Sequence, residues 1–347
     1  MWDGVIIRQV NLDRESEVAA VRAFLDRFSL RFDTSVDYTI ALFKDETMVA
    51  TGSLSGEVLR NFAVDETLQG EGLTATIISE LMREAGARGV YHYFIFTRPD
   101  KAFLFASLGF NEIARAEPHA AVLESGIGSV NQYCEDLIRQ TDFLPRQNRA
   151  AIVVNCNPFT LGHLSLIKRA AAQHNVIVFV VSEDRSLFPF ADRLRLIREG
   201  VFGLSNVAVV PGGKYIISAA TFPSYFTRES ETVVAQTRLD ITLFATRIAP
   251  ALGIRARFVG EEPYCEITSA YNQAMSDILP LNGIEFNVIQ RADVDGDIIS
   301  ASKVREAIRS ADWKTVELMV PATTLAYLTS DQAKPVIERI GQTESRH

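Results

Sequence analysis

Only three cysteines stand in 347 residues: Cys134, Cys156 and Cys265, far apart in the chain. That spacing gives neither a disulfide framework nor the paired thiols of a structural zinc site, and no metal-ligand set is visible. Basic residues are outnumbered, 35 Lys and Arg against 43 Asp and Glu, for a net charge of −8. The balance argues against a nucleic-acid partner, whose phosphates need clustered cations. No stretch of about 18 apolar residues occurs, so no transmembrane helix is expected. The opening Met1-Trp2-Asp3-Gly4 lacks the basic start and apolar core of a signal peptide. A cytoplasmic location with no membrane partner is the resulting expectation. Internal repeats and low-complexity segments are missing too. What is present, 47% hydrophobic and 22% charged residues, is the composition of a folded chain with room for two domains.

The first half reads as short strands with few helices. Strands are expected over Val5–Val10, Tyr38–Phe43, Met48–Ser53, Val58–Val64 and Val90–Phe96. Helices are expected from about Arg14 to Phe28, from Gly72 to Ala87 and over Ala102–Leu108. Proline and polar residues at Phe143–Asn148 then mark a break, dividing the chain into 1–145 and 146–347. Beyond it, strands at 151–155, 176–182, 206–210, 256–260 and 284–290 alternate with helices, the longest from about Arg228 to Leu252. Such alternation implies a parallel sheet covered on both faces, with ligands at the strand carboxyl ends.

The most informative stretch is Asn155-Cys156-Asn157-Pro158-Phe159-Thr160-Leu161-Gly162-His163. It leaves a buried strand and opens a helix, where free backbone N–H groups and the dipole favour phosphate. Gly162 permits close backbone approach, and His163 can hydrogen-bond a phosphoryl oxygen as charge develops. An isolated Thr-x-Gly-His also reads as a plain helix cap by Thr160. Later, Ile299-Ser300-Ala301-Ser302-Lys303-Val304-Arg305 offers serine caps with two cations at another helix start; a surface helix with solvated charges would look the same. Between them lie Ser182-Glu183-Asp184-Arg185 and Arg193, the latter a candidate phosphate contact. Cys156 reads as a small residue filling the turn in preference to a covalent nucleophile.

Thr160-x-Gly162-His163 resembles the (H/T)xGH signature of the nucleotidyltransferase superfamily, and Ile299–Arg305 resembles its ISSTxxR motif, with Ala301 and Ser302 as departures. The whole Asn155–His163 spelling, with Glu183-Asp184, Phe188-Pro189-Phe190, Asp192-Arg193, Tyr215–Pro223, Phe258–Pro263, Tyr271-Asn272-Gln273 and Met275, resembles the citrate lyase ligase family over about 150–330. The resemblance implies a Rossmann-like parallel α/β nucleotidyltransferase domain at 146–347. It implies ATP, with Mg²⁺, as cofactors: acetate becomes acetyl-AMP, and its acetyl group passes to the thiol on the dephospho-CoA-like prosthetic group of citrate lyase's acyl carrier protein. Thr160, His163 and Arg305 are then the catalytic candidates. Asn155, Asn157, Phe159, Gly162, Arg193, Ser300, Ser302 and Lys303 are the nucleotide-binding ones.

Gln69-Gly70-Glu71-Gly72-Leu73-Thr74, between a strand and a helix, resembles the pyrophosphate-binding motif of GNAT acetyltransferases and implies an α+β GNAT-like domain at 1–145. Thr74 and Phe105 depart from that pattern, one replacing a small residue and the other a general-acid tyrosine. Gln69, Gly70 and Gly72 are therefore candidates for holding the CoA-like arm. His92 and His119 have no assignable partners in the sequence. Two other readings stay open: transfer of AMP to a phosphate ester such as pantetheine phosphate, and a GNAT acetyltransferase with a nucleotide-sensing second domain.

Overall fold

Alternating apolar residues in the first half and continuous apolar strands in the second produce two differently built sheets. The computed structural model describes residues 4–182, 186–216, 229–261, 266–291, 293–294 and 297–342. Contacts divide the chain into two units, Met1–Tyr133 with Ala219–Leu243, and Cys134–Ser218 with Phe244–His347.

The first unit contains β1 (Val5–Gln9), α1 (Glu15–Asp26), β2 (Tyr38–Lys44), β3 (Thr47–Ser55), β4 (Val58–Val64), α2 (Leu73–Ala87), β5 (His92–Thr97), α3 (Ala102–Ala106), β6 (Asn111–Ala116) and β7 (Ala120–Gly126). The sheet order is β1-β2-β3-β4-β5-β7-β6. All neighbours are antiparallel except β4 and β5, which pair in parallel only at Val58–Phe94 and Leu59–Ile95. This is the expected α+β architecture. Leu73, Ile77, Leu81 and Ala85 are buried along one face of α2, four residues apart. Gly52 lets that helix lie close, since a Cβ there would stand 2.3 Å from Ile77 Cγ2.

The second unit follows α4 (Val130–Gln140), a helix that begins in one unit and ends in the other. It contains β8 (Arg149–Val154), α5 (Leu161–Ala171), β9 (Asn175–Val180), α6 (Phe190–Gly200) and β10 (Val207–Pro211). After α7 (Glu229–Leu243) come a π-turn at Phe244–Ile248, α8 (Ala249–Leu252), β11 (Ile254–Gly260), α9 (Glu266–Ile278) and β12 (Glu285–Ile289). A two-stranded ribbon, β13 (Asp293–Val294) and β14 (Asp297–Ile298), leads to α10 (Ala301–Arg309), α11 (Trp313–Met319), α12 (Ala322–Leu328) and α13 (Lys334–Gln342). The sheet is parallel throughout, in the order β10-β9-β8-β11-β12. The chain winds outward from β8 through β9 to β10, then restarts on the other side at β11. A ligand crevice is expected where the winding reverses, between β8 and β11.

The contacts draw the division differently from a single break at 145. Arg149, fully buried, donates from Nε to Pro145 O at 3.0 Å, from Nη1 to Leu252 O at 2.9 Å and from Nη2 to Thr141 O at 2.8 Å. These bonds fasten the Pro145 segment to the second unit. Helix α7 instead packs on β6 and β7 in the first unit, burying Ala235 and Leu239. The long helix expected over 228–252 is interrupted by the π-turn where the chain passes between units.

Candidate active site

At the carboxyl end of β8 the chain turns through Cys156, whose φ of 54° lies in the left-handed region. Arg193, fully buried, ties this turn together. Its Nε donates to Phe188 O at 2.9 Å, and its Nη1 to Asn155 O at 2.9 Å, Asn155 Oδ1 at 2.8 Å and Val181 O at 2.8 Å. Asn157 accepts from the Phe188 N–H at 3.0 Å through Oδ1. The expectation that Arg193 contacts phosphate is therefore corrected: its donors face carbonyl groups inside the turn. Phe159 is corrected likewise, being wholly buried, with its ring stacked 6.2 Å from that of His163. Burial also raises the Cys156 thiol pKa, so the group is protonated and a poor nucleophile.

Thr160 caps α5 in a reciprocal arrangement with His163. The His163 N–H donates to Thr160 Oγ1 at 3.4 Å, while the Thr160 N–H donates to His163 Nδ1 at 3.1 Å and Thr160 Oγ1 lies 2.8 Å from the same nitrogen. A backbone N–H can only donate, so Nδ1 is the acceptor and the ring proton of the neutral imidazole sits on Nε2. Burial, with the Arg291 cation nearby, pushes the His163 pKa down to about 4. The neutral Nε2–H tautomer is a donor that needs no protonation at neutral pH.

Helix α10 starts beside this turn. Ser300 Oγ accepts from the Lys303 N–H at 3.2 Å and caps the helix. Arg305, 5% exposed, donates from Nη1 to Asn157 O at 2.5 Å and from Nη2 to Ser302 Oγ at 3.3 Å. The bond to Asn157 O joins two motifs 148 residues apart. Gly162 makes a second junction: a Cβ on it would meet Ile299 O at 3.3 Å, so the bare backbone sets the spacing.

The two motifs border one cavity of ≈ 920 Å³ at the point where the winding reverses. Asn155, Thr160, Gly162 and His163 line it from β8 and α5, and Ser300, Ser302, Lys303 and Arg305 from α10. Asn157, Phe159 and Arg193 support it from behind and do not line it. Not foreseen from the sequence were Arg257 on β11, Arg291 after β12 and Arg309 on α10. Arg257 did leave a signal, a charge in the middle of a strand whose neighbours are apolar. Glu183, Asp184, Arg185, most of the Tyr215–Pro223 string, and Glu262 and Pro263 lie outside the described residues. Among the described residues no group of three or more His, Cys, Asp or Glu side chains gathers as a metal site. None of their helices is long and apolar enough to cross a membrane.

In the first unit, Gln69, Gly70 and Gly72 form an exposed turn at the start of α2, with φ of 88° at Gly70 and 78° at Gly72. Phe105 is buried edge-on against Phe62. His92 does have a partner: its Nε2 lies 3.1 Å from Glu124 Oε2, and both residues are buried.

A profile of the citrate lyase ligase C-terminal domain matches residues 149–328, just over half of the chain. The [citrate [pro-3S]-lyase] ligase of Klebsiella pneumoniae is 38% identical over 331 residues, 93% of this chain and 96% of that protein. A phosphopantetheine adenylyltransferase of Corynebacterium glutamicum is 36% identical over 69 residues, 19% of this chain and 43% of the other. Among solved structures, the ribosomal-protein-S18-alanine N-acetyltransferase of Escherichia coli covers 36% of this chain and 95% of its own, with a TM-score of 0.31 and 20% identity. The near-full-length match and the profile together make the chain a member of the citrate lyase ligase family.

Proposed function

We propose that the protein adenylates acetate with ATP and passes the acetyl group to a thiol on the carrier protein of citrate lyase. The family membership supports the ligase activity, and the shared cavity of His163 and the Ser300–Arg305 helix start supports the adenylation step. In that step an acetate oxygen attacks the α-phosphorus, a new O–P bond forms, and the bond to the β-phosphoryl group breaks as pyrophosphate departs. His163 Nε2–H donates to a phosphoryl oxygen as negative charge grows. Lys303 and Arg305, beside the α10 N-terminus, stabilise the phosphates and the leaving pyrophosphate. The thiol sulfur then attacks the acyl carbon, and AMP leaves with the electron pair of the broken C–O bond. Mg²⁺, held by the substrate's own phosphate oxygens, would add charge stabilisation beside Lys303 and Arg305. The Gln69–Gly72 turn is suited to the pyrophosphate of a dephospho-CoA-like arm, because successive backbone N–H groups at a helix start bind such groups.

The observation that carries this reading is the neutral Nε2–H donor of His163 facing the same cavity as Arg305. Its test is acetate-dependent exchange of labelled pyrophosphate into ATP by the full chain. Exchange that requires acetate supports acyl adenylation. Exchange that instead requires a phosphate ester such as pantetheine phosphate replaces it with simple nucleotidyl transfer.

A further inference from the structure

The cavity continues past the phosphate motifs to a wall that they do not use. At the centre of β11 stands Arg257, beside Ala151 of β8 and Phe286 of β12. Side chains alternate along a strand, and Ala256 and Phe258 turn into the apolar core shared with α5. Arg257 therefore turns to the opposite face. It is 4% exposed and borders the cavity, with its guanidinium carbon 4.6 Å from the centroid of the Phe244 ring. Helix α9 brings Asn272 and Met275 to the same cavity, which Val153 and Val259 also line. Asn272 Oδ1 is buried without a hydrogen-bond partner; turning the amide about its last torsion exchanges that oxygen for the NH2 group, a donor that a carboxylate oxygen can accept from. A buried cation in a cavity to which Asn272, Met275 and two valines also contribute has the composition to hold a short aliphatic carboxylate.

We infer that Arg257 anchors the carboxylate of the acid to be adenylated and that Met275 bounds its alkyl end. This assignment rests on the acetate-ligase reading. Arg257 holds one carboxylate oxygen by charge-assisted hydrogen bonding while the other attacks the α-phosphorus. Forming the mixed anhydride removes the carboxylate charge, which weakens the contact with Arg257 and leaves the acyl carbon open to the thiol. The acid is thereby selected as an anion and presented for transfer as a neutral acyl group.

The experiment measures pyrophosphate exchange by the full chain at varied acetate and varied ATP. Arg257→Gln is expected to raise the KM for acetate about tenfold or more, the usual worth of a hydrogen bond to a charged group. Its KM for ATP is expected to stay within about twofold, and Arg257→Lys, which keeps the charge but loses the planar fork, to fall between. Met275→Ala, with Arg257 in place, is expected to raise exchange with propionate relative to acetate by about tenfold. That variant decides the matter if the Arg257 substitutions do not fold. An active wild type combined with an unchanged acetate KM in Arg257→Gln, or an unchanged acid preference in Met275→Ala, overturns the assignment while leaving the ligase reading intact. Absence of acetate-dependent exchange in the wild type overturns both.

Discussion

Which nitrogen of His163 holds the proton decides what that residue can do, and the Thr160 N–H bond to Nδ1 decides it. With Nε2–H as the donor and a pKa of about 4, activity should not require an imidazolium. Adenylation measured between about pH 5.5 and 8 should show no inflection near 6.5, the ordinary histidine value. A rate that titrated there would contradict the neutral donor. The same depression has a consequence for folding. The unfolded chain takes up a proton on His163 before the folded one does. Stability is therefore fully present above about pH 6.5 and declines as the pH falls towards 4. His163→Ala should slow exchange by about two to three orders of magnitude, the usual loss for a donor to developing charge. Its stability to thermal unfolding should fall by no more than the loss of half a helix cap, about 0.5–2 kcal/mol, and an unchanged rate would remove His163 from the chemistry. At this scale the helix cap was legible in Thr-x-Gly-His at a strand-to-helix turn. The tautomer was not, since it depends on a backbone hydrogen bond that only the folded turn makes.

Among the elements, cations that look alike in sequence part company. Arg193 on α6 is buried and donates to the carbonyls of Asn155, Val181 and Phe188, whereas Lys303 on α10 is exposed at the cavity; Arg305 does both, bonding Asn157 O while lining the cavity. Arg193→Met should leave several buried carbonyls unpaired, each costing about 1–3 kcal/mol. Urea unfolding should show a loss of several kcal/mol, about 3 or more. Lys303→Ala should leave the unfolding curve in place and raise the KM for ATP. The opposite pattern, a stable Arg193→Met with impaired ATP binding, would restore Arg193 to the phosphate site. Sequence position cannot separate these roles. A cation near a strand end is compatible with either, and burial is a property of the packed turn. Helix α2 and strands β2 to β5 were readable because apolar spacing of about 3.6 or 2 follows from which face is buried.

For the whole molecule, the division into units follows contacts and not chain order. Residues 219–243 return to the first unit after the chain has run through β8, β9 and β10 of the second. A fragment ending at 145 lacks α7, whose Ala235 and Leu239 are buried in the full chain and which packs on β6 and β7. It should melt below the intact protein and bind a hydrophobic dye; a dye-negative fragment with an unshifted transition would make α7 dispensable. What the sequence alone determined was the pair of sheet types and the two capped helix starts that border the cavity, because local patterning and turn chemistry are written in neighbouring residues. Tertiary structure decided which cations face the cavity, that Arg305 closes on Asn157 O, and where one unit gives way to the next. Those properties join residues as far apart as 148 positions, and no local pattern encodes which distant carbonyl a side chain will meet.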